Sequence, residues 1–216
     1  MVATDDVASL VVDVLDRVRS SNRFILGITG PPGGGKSTLA DALVAAVRVR
    51  RGEDFVASVP MDGFHFRNAY LDANDLRSTK GAPSTFDVNR YVELLACIRA
   101  ANDRSLTAPI YDRKLHEPVE DAVTIARPSI TPLIITEGNY LLLDRPGWRD
   151  VRQHLSECWY VDTPIEECLR RLHARHMTGG CDSESATGKV ERNDRPNADL
   201  VASTKQFADR VVNAKL

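Results

Sequence analysis

Apolar positions along the chain switch between two spacings. Val7, Leu10, Val11, Val14, Leu15 and Val18 recur at helical steps, and Thr4-Asp5-Asp6 ahead of them offers N-capping oxygens. Phe24-Ile25-Leu26-Gly27-Ile28-Thr29 is a short unbroken apolar run that stops at Gly30-Pro31-Pro32, which predicts a buried strand and a turn. Helical spacing returns from Lys36 to about Arg50, closing on Arg48, Arg50 and Arg51, cations that suit the negative end of a helix dipole. A second strand is expected over Phe55–Val59. Residues 63–86 lack a period and read as a loop with one short helix, and Val88–Ala100 as a helix capped by Asp87.

Residues 101–132 are polar and punctuated by proline, with one short strand expected at Ala122–Ile125. Leu133-Ile134-Ile135-Thr136 and Cys158-Trp159-Tyr160-Val161 are two further buried strands. Pro164 opens a charged helix running to about His176. Residues 177–195 show no period, Pro196 opens a last helix to about Phe207, and Arg210-Val211-Val212 suits an edge strand. Strands alternating with helices imply an α/β fold, a mostly parallel sheet covered on both faces. Ligands of such sheets bind beyond the C-terminal strand ends, where Gly30, Asp62, Glu137 and Asp162 all fall.

Gly30-Pro31-Pro32-Gly33-Gly34-Gly35-Lys36-Ser37 fits GxxxxGK[ST] between a predicted strand and a predicted helix. Pro31 and Pro32 have no N–H, so a cradle of backbone donors must come from about Gly33, Gly34, Gly35, Lys36, Ser37 and Thr38. The helix beginning at Lys36 points its positive end at the same anion. Lys36 is expected on the β- and γ-phosphates of ATP, and the Ser37 hydroxyl on Mg²⁺. The motif specifies triphosphate binding and leaves the subsequent chemistry open: kinase, motor, switch or chaperone ATPase.

Glu137 stands where a strand-ending carboxylate can hold Mg²⁺ directly or through water; it can also merely cap a turn. Asp162 occupies an equivalent place, but Asp-Thr-Pro favours a helix cap. Asp62, in Met61-Asp62-Gly63-Phe64-His65, reads equally as the base that takes a proton from an attacking hydroxyl and as an ordinary Asp-Gly turn.

Composition narrows the class. The chain has 216 residues, 43% hydrophobic and 27% charged, with a formal net charge of −2, so no global basic field exists to hold nucleic acid or an anionic membrane. No apolar run approaches the ~18–20 residues needed to span a bilayer, and acids stand where a targeting peptide would carry Lys or Arg. Four cysteines show no CxxC pair and no metal-ligand spacing; Cys97, Cys158 and Cys168 are expected as buried thiols. A cytoplasmic location follows as the expectation.

With the glycine loop, Asp62 and Glu137 placed, the chain resembles the superfamily of uridine kinases, type I pantothenate kinases and phosphoribulokinases, most closely a bacterial subgroup of nucleoside-kinase-like or fructose-system kinases. The resemblance runs from Ile28 to the C-terminus and rests on Pro60–His65, Lys80–Asp87, Pro109–Arg113, Glu137–Leu143, Arg171–His176 and Asn193–Ala198. It implies a P-loop three-layer sandwich, one kinase domain over 1–216 with a small lid at about 171–195. It also implies transfer of the ATP γ-phosphoryl group to a metabolite hydroxyl, with Asp62 as base. By the same resemblance Arg171 and Arg175 are lid arginines, Asn193 and Asn197 lie near the adenine end, and Glu137 is the strand-end acid. Tyr111 and His116 would read the acceptor, with His65 and Asn139 from matching blocks assigned to the same site. Family members tend toward dimers or tetramers, so a homodimer is the first candidate assembly. Gly63-Phe64-His65 replaces the Ser-Phe-Tyr of uridine kinases and is closer to pantothenate kinases, leaving nucleoside, pantothenate, sugar and sugar phosphate open as acceptors. The rival readings are an ATPase switch or chaperone without a small acceptor, and a nucleotide-binding module retained for partner interaction.

Overall fold

In the computed structural model, residues 5–100 and 103–213 are described. Five strands form one sheet: β1 (Phe24–Thr29), β2 (Val56–Ser58), β5 (Leu133–Glu137), β6 (Glu157–Val161) and β7 (Arg210–Val212), in the order β2-β5-β1-β6-β7. Every pairing in it is parallel, β7 included. β1 and β5 are buried at every position, because successive side chains point to opposite faces and both faces are covered. Leu26 and Ile28 pack with Leu10, Val14, Leu39 and Leu43 of α1 (Val7–Arg19) and α2 (Lys36–Arg51). Ile25 and Ile134 pack the other way, with Tyr91 and Leu95 of α4 (Val88–Arg99) and with Trp148 and Leu155.

Five further helices and a π turn lie along the rest of the described chain. α3 (Asn68–Ala73) precedes α4, and α5 (Val151–His154) precedes β6. α6 (Ile165–Thr178) leads to α7 (Ser183–Lys189), a π turn at Val190–Asp194 and α8 (Arg195–Ala202). Leu169, Leu172, Val190 and Ala198 form a separate small core between these last helices.

Several expectations are corrected. The polar stretch before β5 folds as an antiparallel ribbon, β3 (Leu106–Asp112) with β4 (Glu117–Ile125). Pro109 and Pro118 lie within it and the register shifts between Ala108 and Ile110, so its period of two is broken. The short strand expected at Ala122–Ile125 is only its last part. Helical structure also fills 183–194, because Asp182 caps α7 through Ser185 N at 2.7 Å and Ala186 and Val190 are buried. The expected last helix ends early, at Ala202, followed by one 3₁₀ turn at Lys205–Phe207.

Asp87 caps α4 as expected, accepting from Arg90 N at 3.1 Å. Asp6 makes no side-chain cap on α1; Asp5 instead holds Arg210 at 2.9 Å, and Thr4 lies outside the described residues. Asp162 does not cap α6 but pairs with Lys205 at 2.5 Å. Cys158 and Cys168 are buried, whereas Cys97 is exposed on α4. Among the described residues no helix is long and apolar enough to cross a membrane.

Candidate active site

The strand order does the first part of the assembly. β2, β5 and β1 are successive neighbours, spaced ~4.8 Å apart, and all run parallel. Asp62, Glu137 and the glycine loop, which follow these strands, are therefore delivered side by side to one edge. One cavity of about 300 Å³ is lined by Gly33, Gly35, Lys36, Ser37 and Thr38 together with Asp62, Glu137 and Asn139. Arg113, Arg171 and Arg175 close its rim.

The loop turns into α2 at Gly35, whose φ of 93° lies in the left-handed region, where a Cβ is strained. Lys36 is 7% exposed and its ammonium donates to Pro31 O at 3.1 Å. Burial pulls its pKa down, partly offset by the negative charges of Glu137 and Asp62. Ser37 Oγ donates to Glu137 Oε1 at 3.0 Å. Gly30 and Gly34 do not line the cavity. Gly30 packs against Val161, and the Gly34 N–H is already committed to Pro31 O at 2.9 Å.

Glu137 is 8% exposed. Burial, with the nearby Asp62 charge, raises its pKa to about 7, while Lys36 and the Ser37 hydroxyl pull it back. Its folded pKa thus lies above its ordinary value of 4.5, so the fold holds a proton that the unfolded chain releases. Stability from this group is full below about 4.5 and is lost as pH climbs through about 7. Glu137→Gln keeps the acceptor for Ser37 and removes the titration. The variant should melt higher than the parent at pH 8 by the equivalent of about 1–3 kcal/mol, with the gap closing toward pH 5. Parallel melting curves across that range would contradict the assignment.

Asp62 sits in a 3₁₀ turn, Met61–Phe64, anchored by buried Met61 and Phe64. Gly63 is required there by close approach: a Cβ would collide with the Pro109 carbonyl oxygen of β3. The Asp-Gly pair is thus a docking point for the ribbon, whose end brings Arg113 to the same cavity. Gly63→Ala should cost about 1–3 kcal/mol through overpacking and depress activity beyond that loss by shifting Asp62. A variant of parental stability and activity would show that the approach is not needed.

A second cavity, of about 450 Å³, is lined by Asp62, Tyr111, Arg113, His116, Arg175 and His176. Asp62, Arg113 and Arg175 line both cavities. Arg175 is drawn below its ordinary pKa by burial and by Arg113. Arg171 reaches Gly33 O at 3.3 Å and Glu167 at 2.8 Å. Arg170 turns away, paired with Glu167, and Glu166 pairs with Arg195.

The remaining candidates fall elsewhere. His65 lines neither cavity. Its Nδ1 donates to Asp62 O at 2.8 Å and its ring packs 3.9 Å from Phe86 and 4.8 Å from Tyr111, so it braces the Asp62 turn. Burial lowers its pKa, which favours the neutral ring. Asn139 lies on the glycine-loop side, not with Tyr111 and His116. Asn193 lines a third cavity with Tyr111 and His116, donating to Lys80 O at 3.1 Å. Asn197 is buried and donates to Asn193 at 3.3 Å. Neither asparagine lines the glycine-loop cavity. Sequence reasoning missed Arg113, although it ends the Pro109–Arg113 block; its place after a strand end was hidden because β3 itself was not expected.

The residues fit a metal carried in by a triphosphate. Among the described residues no group of three or more His, Cys, Asp or Glu could hold an ion alone. Ser37 and Glu137 offer two adjacent oxygens, which suits Mg²⁺, an ion that keeps waters and phosphate oxygens in its shell.

The chain is similar in sequence and fold to known proteins. YggC of Escherichia coli K12, itself uncharacterized, is 35% identical over 198 residues, covering 92% of this chain and 81% of its own. A Schizosaccharomyces pombe protein provisionally named a uridine kinase is 32% identical over 216 residues, covering 96% and 89%. The crystal structure of a protein from Silicibacter sp. TM1040, provisionally named a fructose transport system kinase, superposes with a TM-score of 0.85 at 31% identity, covering 96% of this chain and 98% of that one. The sequence profile of the phosphoribulokinase / uridine kinase family matches residues 25–215, and the chain belongs to that family.

Proposed function

We propose that the chain is a phosphotransferase moving the γ-phosphoryl group of Mg-ATP to a hydroxyl of a small metabolite of the nucleoside, pantothenate or sugar kind. The observation that carries this reading is the shared position of Asp62, which lines both the glycine-loop cavity and the adjoining one with Tyr111 and His116. An acid between a phosphate site and a second, separate cavity is what transfer to an alcohol requires. A switch or chaperone ATPase has no use for the second cavity.

In this reading Lys36 and the backbone N–H groups of the loop hold the β- and γ-phosphate oxygens. Ser37 and Glu137 would hold Mg²⁺, which would supply positive charge to the phosphate oxygens. Asp62 takes the proton of the acceptor hydroxyl as its oxygen bonds phosphorus. The bond to ADP breaks and its electron pair leaves on the β-phosphate oxygen. Arg113, Arg171 and Arg175 oppose the charge that spreads over the transferring group. The chain acts as one kinase domain, with the segment at about 171–195 as a lid that excludes water as a competing acceptor. A cytoplasmic location belongs to the same reading, and a homodimer is its first candidate assembly.

A coupled ADP-release screen across nucleosides, pantothenate, fructose and pentose phosphates tests it. At least one alcohol should raise ADP release well above the rate with water alone and emerge phosphorylated. ADP release indifferent to every alcohol would favour the ATPase reading.

A further inference from the structure

Beyond Tyr111 and His116 lies a cavity of about 510 Å³, reaching Arg77, Lys80, Lys189, Arg192 and the His176–Asp194 pair. The residues that line it carry four cations and one acid, while Glu117 and Asp72, outside the lining, attract Lys80 from farther off. The lining acid, Asp194, already faces His176 Nε2 at 2.7 Å. Arg77 has only a solvent-exposed pair with Asp72 at 3.3 Å. Among the described residues Lys80, Lys189 and Arg192 have no carboxylate within 4.0 Å. Two arginines outside the cavity are each held by two carboxylates: Arg210 lies between Asp5 and Asp13, and Arg195 between Glu166 and Glu191.

Lys80 is the best placed of the set. Its ammonium donates to Asn68 Oδ1 at 2.6 Å and to His116 O at 2.8 Å, which leaves one of its three hydrogens for another acceptor. It also sits 5.0 Å from the centroid of the Tyr111 ring, tying it to the acceptor side. Arg77 and Lys80 come from the segment between α3 and α4, whereas Lys189 and Arg192 come from α7 and the π turn. Cations thus approach the cavity from two parts of the chain. A neutral sugar or nucleoside offers nothing to offset them, whereas an anion does, and a guanidinium fork matches phosphate and carboxylate oxygens.

Resting on the kinase reading above, we propose that the acceptor is an anionic alcohol, bearing a phosphate monoester or a carboxylate besides the reacting hydroxyl, and that Lys80, Lys189 and Arg192 hold that anion. The hydroxyl then lies at Asp62 while the anionic end lies in the cationic cavity.

Matched pairs that differ in charge decide it: fructose 6-phosphate against fructose for the phosphate, pantothenate against panthenol for the carboxylate. Binding is measured by calorimetry on the full chain saturated with Mg²⁺ and a non-hydrolysable ATP analogue, which occupies the glycine loop. Transfer is measured separately by ADP release. In at least one pair the anionic member should bind roughly 10- to 100-fold tighter, with an advantage that shrinks as salt rises. Arg192→Gln should raise its KM roughly tenfold with a much smaller change in kcat. Lys189→Gln, which loses only a contact to Cys181 Sγ at 3.2 Å, should act likewise if the first variant folds poorly. Equal binding within both pairs, no binding by any of the four, or an unmoved KM in both variants would overturn the proposal. Anion-selective binding without transfer would uphold the anion site formed by Lys80, Lys189 and Arg192 and sink the kinase reading. Transfer without charge preference would do the reverse.

Discussion

Asp62→Asn should abolish phosphoryl transfer, by about 10²–10⁴-fold in kcat, while Mg-ATP still binds. The substitution is isosteric, and the turn holding position 62 is secured by main-chain bonds, Gly63 N to Pro60 O and His65 N to Asp62 O, both 3.2 Å. The geometry should therefore survive. Removing one negative charge beside the phosphate tail leaves nucleotide affinity equal or slightly tighter. A second signature follows from electrostatics: the Asp62 charge helps to raise the Glu137 pKa, so the variant's pH-dependent stability should shift to lower pH. Stopped transfer with retained calorimetric binding supports Asp62 as base. Transfer at near-parental rate removes it from that role.

Lys36→Met should lower kcat by about 10²–10³-fold, the usual loss for one preorganised donor to developing charge, and should raise the KM for ATP as well. Met matches the length and packing of the lysine stem, which is buried among the loop residues. The variant also loses the cation that holds the Glu137 pKa down. Glu137 then stays protonated to higher pH, and residual activity should rise with pH further into the alkaline range than in the parent. A variant with parental KM and kcat would place the phosphate tail away from Lys36.

The sheet and the glycine loop were legible because their signals are dense and local. β1, β5 and β6 are built on short apolar runs, and GxxxxGK[ST] spans eight consecutive residues. Glu137 was legible for the same reason, as the acid ending such a run. Asp62 remained ambiguous from spacing alone, since an Asp-Gly pair is also a turn. Its position in the fold is held by a long-range contact, Gly63 against Pro109 of β3, which no local pattern carries. The ribbon β3–β4 escaped because its prolines and its register shift mask the alternation, and Arg113 was missed with it. The helix at Ser183–Lys189 has few apolar residues and is fixed by its Asp182 cap and by docking of Ala186. His65 was placed with the acceptor from its motif, but its ring is occupied by Phe86 and Tyr111.

The most direct test of a shared phosphate site is a crystal structure of the full chain with Mg²⁺ and a non-hydrolysable ATP analogue. The terminal phosphate is expected between Lys36 and Asp62, with the metal on the side of Ser37 and Glu137. A triphosphate tail seated away from either carboxylate would contradict it.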